Sequence, residues 1–475
     1  MFLVPKEYFT DPLTQGVAKG SLNFIMRNRF TLLKLPVGYG KTVISMQVAR
    51  QLAELNNGKL QLMVIAPKAK RLDKSFQDAI NSTNAYYNVK LTVLPINGQE
   101  TGTFAGLNQM SKKPAMFKDF LTALCEENTL LILDETHMQL RNPTGIASKL
   151  FKKIFKLVEK NHRTLRILGL TATPFDRSII DAVGYLVLNG NYRSRTGFYR
   201  KEVVGYETAH TRGLTQQDVE NSIVDQTYAI HKEMFHDIIN VTRQINNIVY
   251  APDAPVTFHI PQNRFRQVPV ELSPAGADEL RHVQRLERER AYADNGTKVT
   301  DYTTAITTDQ QVLDKVVELA KDPNNHQPLI FYQLNVTLDA LKKRFEAEGL
   351  PYLEVNGHSQ SYFELNDGES AVFVQYLSGA AAFESKTSNS SIYLDLPSSS
   401  INFQQSLGRN ARRGQDVDVV MNYIIVPQLE SGPIAYFEKN YNRVVNKAHW
   451  NARFEKTFVT PWGRWGETQI KTKNM

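Results

Sequence analysis

The sequence predicts an α/β chain with two parallel-sheet lobes in tandem and a mainly helical segment between them. Three observations support this fold class. An apolar strand and a glycine turn precede an amphipathic helix within residues 32–55. Apolar strands then alternate with helical stretches up to about residue 190. The same alternation resumes after about residue 311, which predicts a second sheet.

The length of 475 residues exceeds what one hydrophobic core organises and favours about three domains. We expect an N-terminal lobe over residues 1–190 and a C-terminal lobe over 321–430. Residues 191–320 have few apolar runs and predict a helical insertion or linker subdomain. Residues 431–475 form a basic extension that contains all three tryptophans, which suit either base stacking or docking onto the second lobe.

The composition, 42% hydrophobic and 22% charged, is typical of a globular protein. No apolar run approaches the roughly 20 residues that a membrane helix needs, and the first residues do not resemble a secretory signal. Cys125 is the single cysteine, which excludes an internal disulfide and a cysteine-based zinc cluster. These exclusions predict a cytoplasmic protein without a membrane partner. The net charge of +8 favours a polyanionic partner.

Gly38–Thr42, Gly-Tyr-Gly-Lys-Thr, lies between the first strand and its helix and predicts a phosphate-binding loop. Backbone N–H groups and the helix N-terminus would hold phosphates, Lys41 would reach the β- and γ-phosphates, and Thr42 would hold Mg²⁺. The strict pattern requires glycine at position 35, where this chain has Leu35, so an ordinary glycine turn is the alternative. Upstream, Gln15 could read adenine or be a solvated surface residue.

Asp134 and Glu135 follow the apolar run 130–133 and predict an acidic pair at a strand tip. Asp134 is placed to hold Mg²⁺, and Glu135 to orient and deprotonate an attacking water. A strand that ends in Asp-Glu is common by itself. About 90 residues after a phosphate loop it becomes specific.

Two further strand ends carry candidate residues. Lys68, Lys70 and Arg71 follow the strand at 62–66, where they could contact a phosphate backbone or be a solvated helix start. Thr171 and Thr173 follow the strand at 165–170, where hydroxyls can hydrogen-bond the acidic pair or form a capping turn before proline.

In the second lobe we expect strands at 328–332, 352–355, 371–376, 391–394 and 419–426, and no phosphate loop. The serine-rich stretch 385–391 is expected to be a surface loop. A helix after Pro397 carries Gln405, Arg409 and Arg412. The two arginines, three residues apart, are expected to project from one helix face. Opposite a phosphate loop, such a pair would act as arginine fingers supplied in cis.

Together these segments resemble the motifs of a superfamily 2 helicase over residues 10–190 and 325–430. Gly38–Thr42 resembles motif I, residues 66–68 motif Ia, residues 134–137 a DEAH box, residues 171–173 motif III and residues 405–412 motif VI. The resemblance implies two RecA-like lobes, ATP and Mg²⁺ as cofactors, Tyr39 and Gln405 beside the nucleotide, and a nucleic acid as partner. It also implies that Lys68, Lys70, Arg71, Thr171 and Thr173 contact the nucleic acid.

Within this superfamily the chain is similar to the Swi/Snf-type translocases and their small phage or viral relatives. His137 is followed by Arg141-Asn142-Pro143, and motif VI continues into Gly414-Gln415, as in that branch. Ser378 and Gly379 stand where motif V would be. This resemblance implies a coupling role for His137, Ser378 and Gly379. It also implies DNA more than RNA, a monomer, and partners in replication, recombination or transcription.

The mechanism implied is alternating closure of two lobes around ATP, with both lobes holding a phosphate backbone. Such contacts carry no base information, so sequence recognition is not expected. The alternative is a non-catalytic, ATP-gated nucleic-acid clamp or scaffold. The presence of all five candidate catalytic residues, Lys41, Asp134, Glu135, Arg409 and Arg412, favours the enzyme.

Overall fold

A computed structural model of the chain provides the structure. It describes residues 3–36, 38–67, 70–71, 74–140, 145–175, 179–223, 231–252, 259–292, 294–359, 361–376, 385–397, 399–412, 415–442 and 444. These residues form two compact units, the first up to residue 252 and the second from residue 259. The division therefore falls within the segment 191–320. The boundaries at 190, 320 and 430 stay predictions.

The first unit contains a parallel sheet in the order β3-β2-β5-β6-β1-β7, in which β4 also pairs with β2. Its strands are β1 Phe30–Lys34, β2 Lys59–Ile65, β3 Lys90–Val93, β4 Thr101–Gly102, β5 Thr129–Asp134, β6 Leu165–Thr171 and β7 Val249–Tyr250. Every residue of β1 and β5 is buried, as expected of parallel strands covered on both faces. This full burial explains why apolar runs predicted β1, β2, β5 and β6.

Helices cover both faces of this sheet. In chain order they are α1 Lys6–Thr10, α2 Pro12–Arg27, α3 Lys41–Leu55, α4 Ser75–Tyr86, α5 Phe104–Ser111, α6 Pro114–Leu124, α7 His137–Leu140, α8 Ile146–Lys160, α9 Val183–Asn189, α10 Arg195–Glu202, α11 Tyr206–Thr211, α12 Gln216–Ile223 and α13 Ile238–Ile248. Short 3₁₀ turns occupy Ile179–Ala182 and Lys232–Met234. Helix α3 buries Ile44, Val48 and Leu52, the apolar stripe that the spacing predicts.

The second unit contains a sheet in the order β10-β11-β9-β12-β13-β14, with β8 also paired to β13. Its strands are β8 Gln262–Glu271, β9 Leu329–Tyr332, β10 Tyr352–Val355, β11 Ala371–Gln375, β12 Ser390–Tyr393, β13 Val419–Leu429 and β14 Gly432–Pro433. All pairs are parallel except β13 with β14. Its helices are α14 Pro274–Arg288, α15 Asn295–Thr307, α16 Gln310–Lys321, α17 Asn335–Ala347, α18 Tyr362–Leu365 and α19 Ser400–Leu407.

The prediction of two parallel-sheet α/β lobes is thereby confirmed, and each of the five strands expected in the second lobe is present. The sequence did not predict β7 and β8, which lie in the segment 191–320. β8 pairs with β13 over ten residues, yet most of its own residues are half-buried or exposed. It therefore lacks the apolar run that signals a covered strand.

Among the residues that the structure describes, no helix is long and apolar enough to cross a membrane.

Candidate functional site

The glycine loop joins the end of β1 to the start of α3 and has the backbone that phosphate binding requires. Gly38 and Gly40 have φ angles of 86° and 73°, in the left-handed region that favours glycine. A Cβ added to Gly40 would meet nothing within 4 Å, so conformation and not space requires glycine there. Gly40 caps α3, and its carbonyl accepts a hydrogen bond from the Ile44 N–H at 3.0 Å. The helix N-terminus therefore opens directly from this loop.

Lys41 is the first residue of α3, and its side chain folds back along the loop. Its Nζ donates to the carbonyl oxygens of Leu35 and Pro36, both at 3.1 Å. Leu35, which replaces the glycine of the strict pattern, is fully buried, and its N–H donates to the Thr171 carbonyl at 3.1 Å. Position 35 thus extends the pairing of β1 with β6. Tyr39 is buried as well.

The acidic pair lies at the carboxyl end of β5. Asp134 and Glu135 are 7% and 6% exposed, and Glu135 has a positive φ of 47°. Burial raises the pKa of Asp134 to about 6, with the Glu135 carboxylate as the second cause. The positive charges of Lys70 and Lys41 act in the opposite direction. Lys41 therefore lies close enough to Asp134 to interact with it, which brings the loop and the acidic pair together.

The donor set at this point fits Mg²⁺. Asp134 offers carboxylate oxygens and Thr42, the second residue of α3, a hydroxyl oxygen. Two adjacent buried carboxylates favour a nearby cation. In the described part of the chain, no group of three or more His, Cys, Asp or Glu could hold a metal by itself. Mg²⁺ commonly binds through one or two protein oxygens together with water and substrate phosphates. Thr42 and Asp134 would hold it here.

His137 links the tip of β5 to the tip of β6. Its Nδ1 lies 3.0 Å from the Thr171 Oγ1 and 3.5 Å from the Glu135 Oε2. The Thr171 Oγ1 also accepts a hydrogen bond from the Thr173 N–H at 3.0 Å. Both threonines are buried, and the Thr173 hydroxyl has no hydrogen-bond partner among the described residues. The structure thus places Thr171 and Thr173 beside the acidic pair. A nucleic-acid contact for them stays a prediction.

The basic stretch after β2 divides. Lys68 lies outside the described residues. Lys70 is only 9% exposed, and its charge acts on Asp134. Arg71 is half-buried. Lys70 therefore lies with the acidic pair in this structure, and the predicted grip on a phosphate backbone stays untested for all three residues.

Gln15 lies in α2 and is half-buried, and its Nε2 donates to the Phe9 carbonyl oxygen. This bond ties α2 to α1. The adenine-reading role of Gln15 stays a prediction.

The arginine pair of the second unit does not lie within a helix. Helix α19 ends at Leu407, and Gly408 follows as its C-cap. Arg409 and Arg412 therefore lie in the turn beyond the helix, contrary to the expectation of one helix face. The Arg409 Nε donates to the Gln405 carbonyl at 2.9 Å, and the Arg412 Nε to the Gly408 carbonyl at 2.5 Å. The two arginines are 1% and 8% exposed, and Gln405 is buried too.

A buried polar network fixes this turn, and the sequence analysis missed it. The Gln415 Nε2 donates to carbonyl oxygens of Ser385, Ser388 and Asn410 at 2.7–3.0 Å. The Asn410 Nδ2 donates to the Ser388 Oγ at 3.0 Å, and the Ser385 N–H to the Arg409 carbonyl at 3.0 Å.

The expectation of a surface loop at 385–391 was therefore wrong. Ser385, Ser388, Ser390 and Ser391 are all buried, because amide side chains from the turn after α19 satisfy this stretch. The glutamine that ends motif VI was the one signal that pointed to this network. Ser378 and Gly379, the predicted coupling residues, lie outside the described residues.

Comparison with known proteins agrees with this geometry. Residues 17–182 match the family model described as DEAD/DEAH box helicase. The first unit therefore contains a helicase-type ATPase domain, which makes the chain a superfamily 2 ATPase/helicase enzyme, and the tandem sheets are RecA-like lobes.

A solved structure that the chain is similar to is the Sulfolobus solfataricus SWI2/SNF2 ATPase core in complex with dsDNA. That match has 14% sequence identity and a TM-score of 0.32, and it covers 95% of this chain and 97% of the other. A search of curated proteins found no match.

Proposed function

We propose that this protein is an ATP-dependent DNA translocase or helicase that couples ATP hydrolysis to movement along a phosphate backbone. The observation that carries the proposal is the interaction of Lys41 with Asp134. It unites a left-handed glycine loop, the N-terminus of α3 and a buried acidic pair at one edge of the first sheet. Open α/β sheets bind ligands at this carboxyl edge.

Each residue has a role that follows from its chemistry. The N–H groups of Gly38–Thr42 and the ammonium group of Lys41 bind the phosphates of ATP. Thr42 and Asp134 would hold Mg²⁺, which neutralises phosphate charge when bound. Glu135 orients the attacking water and accepts its proton. Arg409 and Arg412 are proposed as the cations that the second unit supplies to the γ-phosphate.

The proposal is tested by ATP turnover with duplex DNA, single-stranded DNA and RNA compared side by side. Turnover should rise with DNA more than with RNA. Lys41→Ala should weaken nucleotide binding, whereas Glu135→Gln should retain binding and stop turnover. Glu127→Gln, an exposed glutamate just before β5, is the matched control and should behave as the wild type.

Wild-type turnover in Glu135→Gln would contradict the role of that carboxylate. If the wild type binds DNA in an ATP-dependent manner without any turnover, the protein is a clamp and not a motor. Stimulation by RNA alone would overturn the assignment to DNA.

A further inference from the structure

A second cavity lies within the second unit, away from any residue assigned above. It has a volume of about 440 Å³ and is formed by α14, α15 and the helical residues 435–442. The side chains that matter for its chemistry are Gln284, Glu287, Lys298, Tyr302, Tyr436 and Lys439. Small-molecule sites commonly measure about 300–1,000 Å³ and combine apolar or aromatic walls with a few polar groups. This cavity has that size and that composition.

An aromatic platform forms one wall. The rings of Tyr302 and Tyr436 are stacked, with centroids 4.1 Å apart and planes 10° apart. Tyr302 is buried and its hydroxyl donates to the Glu287 Oε2 at 2.7 Å, while the Lys298 Nζ lies 3.0 Å from the Glu287 Oε1. Tyr436 is half-buried and so keeps accessible ring surface. The platform is therefore held in place before a ligand arrives, which lowers the entropic cost of binding.

A smaller cavity of about 30 Å³ shares Val299, Tyr436 and Asn440 with the larger one as lining residues. Asp395, just after β12, lines it and is 8% exposed. The Asp395 Oδ2 accepts a hydrogen bond from the Gln333 Nε2 at 2.6 Å. Its Oδ1 is buried and has no hydrogen-bond partner among the described residues. A buried acceptor of this kind is costly unless a donor reaches it, and the space suits one small N–H group or a water.

We propose that the two cavities together bind a nucleotide whose base carries an amino group. The base would stack on Tyr436, its exocyclic amino group would donate to the Asp395 Oδ1, and its phosphate would lie near Lys298 and Lys439. Stacking on an aromatic ring is open to every base, whereas a carboxylate acceptor favours cytosine, adenine or guanine over thymine or uracil. This site goes beyond the ATPase function, and its nucleotide could be free or unpaired within a strand.

The test is titration calorimetry on the full chain at pH 8, with Lys41→Ala present throughout to weaken binding at the first-unit loop. We expect dCMP to bind roughly tenfold more tightly than dTMP, as a hydrogen bond to a charged acceptor would give. Asp395→Asn should reverse this preference. Its amide oxygen would keep the bond from Gln333, so its N–H group would face the cavity and favour the thymine O4.

Variants of Tyr436 test the stacking. Tyr436→Ala should weaken both nucleotides roughly tenfold, and Tyr436→Phe should restore binding. Tyr352→Ala is the matched control, because Tyr352 is also half-buried and stacks on Phe373 at 4.8 Å, on a different part of the unit. It should leave nucleotide binding unchanged. A short oligodeoxycytidylate titrated beside dCMP identifies the source of the ligand. Preference for the oligonucleotide indicates a strand, and preference for dCMP a free nucleotide.

Equal affinity for dCMP and dTMP, no reversal with Asp395→Asn, or no effect of Tyr436→Ala would each overturn the proposal, as would the absence of binding. ATP turnover of the chain without Lys41→Ala is measured in parallel. Turnover without dCMP binding defeats this inference alone, and dCMP binding without turnover defeats the ATPase function alone.

Discussion

Replacing Asp395 by asparagine should change how the stability of the second unit depends on pH. The Asp395 carboxyl is buried, with one oxygen bonded to Gln333 and the other without a partner in the described part of the chain. Burial raises the pKa of this carboxyl from 3.8 to about 7. The Asp395→Asn side chain has nearly the same shape and keeps an acceptor for Gln333, but it never carries a charge.

The sign and size of the effect follow from the raised pKa of Asp395. Between about pH 4 and pH 7 the folded state keeps a proton that the unfolded state has lost, so stability falls as pH rises. The contribution is fully present below pH 3.8 and is lost by about pH 7. The difference of roughly three pKa units, at 1.36 kcal/mol each, sets a ceiling of about 4 kcal/mol. Asp395→Asn removes this loss.

The assay is the midpoint of thermal unfolding of wild type and Asp395→Asn from pH 4 to pH 8. Both should unfold at similar temperatures near pH 4, and the variant should gain with rising pH, reaching on the order of 10 °C at pH 8. Asp367→Asn is the control of opposite sign, because hydrogen bonds from Ser370 lower the pKa of Asp367. That carboxyl stays ionised from pH 5 to pH 8, so its replacement should give a constant loss there. Parallel curves for wild type and Asp395→Asn would refute the reasoning.

Three further outcomes are expected. Arg409→Ala and Arg412→Ala should each lower ATP turnover by roughly 10³-fold or more with little loss of nucleotide affinity, and unchanged turnover in both would defeat the cis-finger role. DNA affinity should fall with salt, with a log–log slope near −0.9 for each duplex phosphate contact, and a flat plot would mean that the basic balance is solvated surface. Gly169→Ala would place a Cβ 2.5 Å from the Thr136 Oγ1, beside the acidic pair, so it should cost about 1–3 kcal/mol and slow turnover. Gly16→Ala, whose Cβ would meet nothing within 4 Å, is its control.

The first-unit site was predictable because its determinants are local in sequence. A glycine at a positive φ, a lysine that opens a helix and a carboxylate at the end of an apolar strand each have a signature within a few residues. Parallel topology then brings Gly40, Lys41 and Asp134 to one edge of the sheet. The covered strands were predictable for the same reason, since burial on both faces requires an uninterrupted apolar run.

Exposed or half-covered strands lack that signature. β8 alternates charged and polar residues along most of its length and is fixed by its register with β13, which is more than 150 residues away in sequence. Lys70 shows the same limit for a side chain. Its neighbours in sequence are basic and suggest a surface patch, but its fold position beside Asp134 gives it a buried electrostatic partner. Contacts of this kind depend on the whole sheet and not on a local pattern.

The arginine turn joins both kinds of determinant. Arg409 and Arg412 are conspicuous in sequence, yet what fixes them is a buried network that reaches back to residues 385–391. Gln415 and Asn410 satisfy carbonyl and hydroxyl groups of that stretch, and each arginine donates its Nε to a backbone carbonyl four residues earlier. Unsatisfied buried polar groups are costly, so the serine stretch and the turn stabilise each other as one unit. The direction in which the arginines point is therefore set by serines and amides that never need to contact a nucleotide. A pattern search for charged residues alone does not detect such positioning residues.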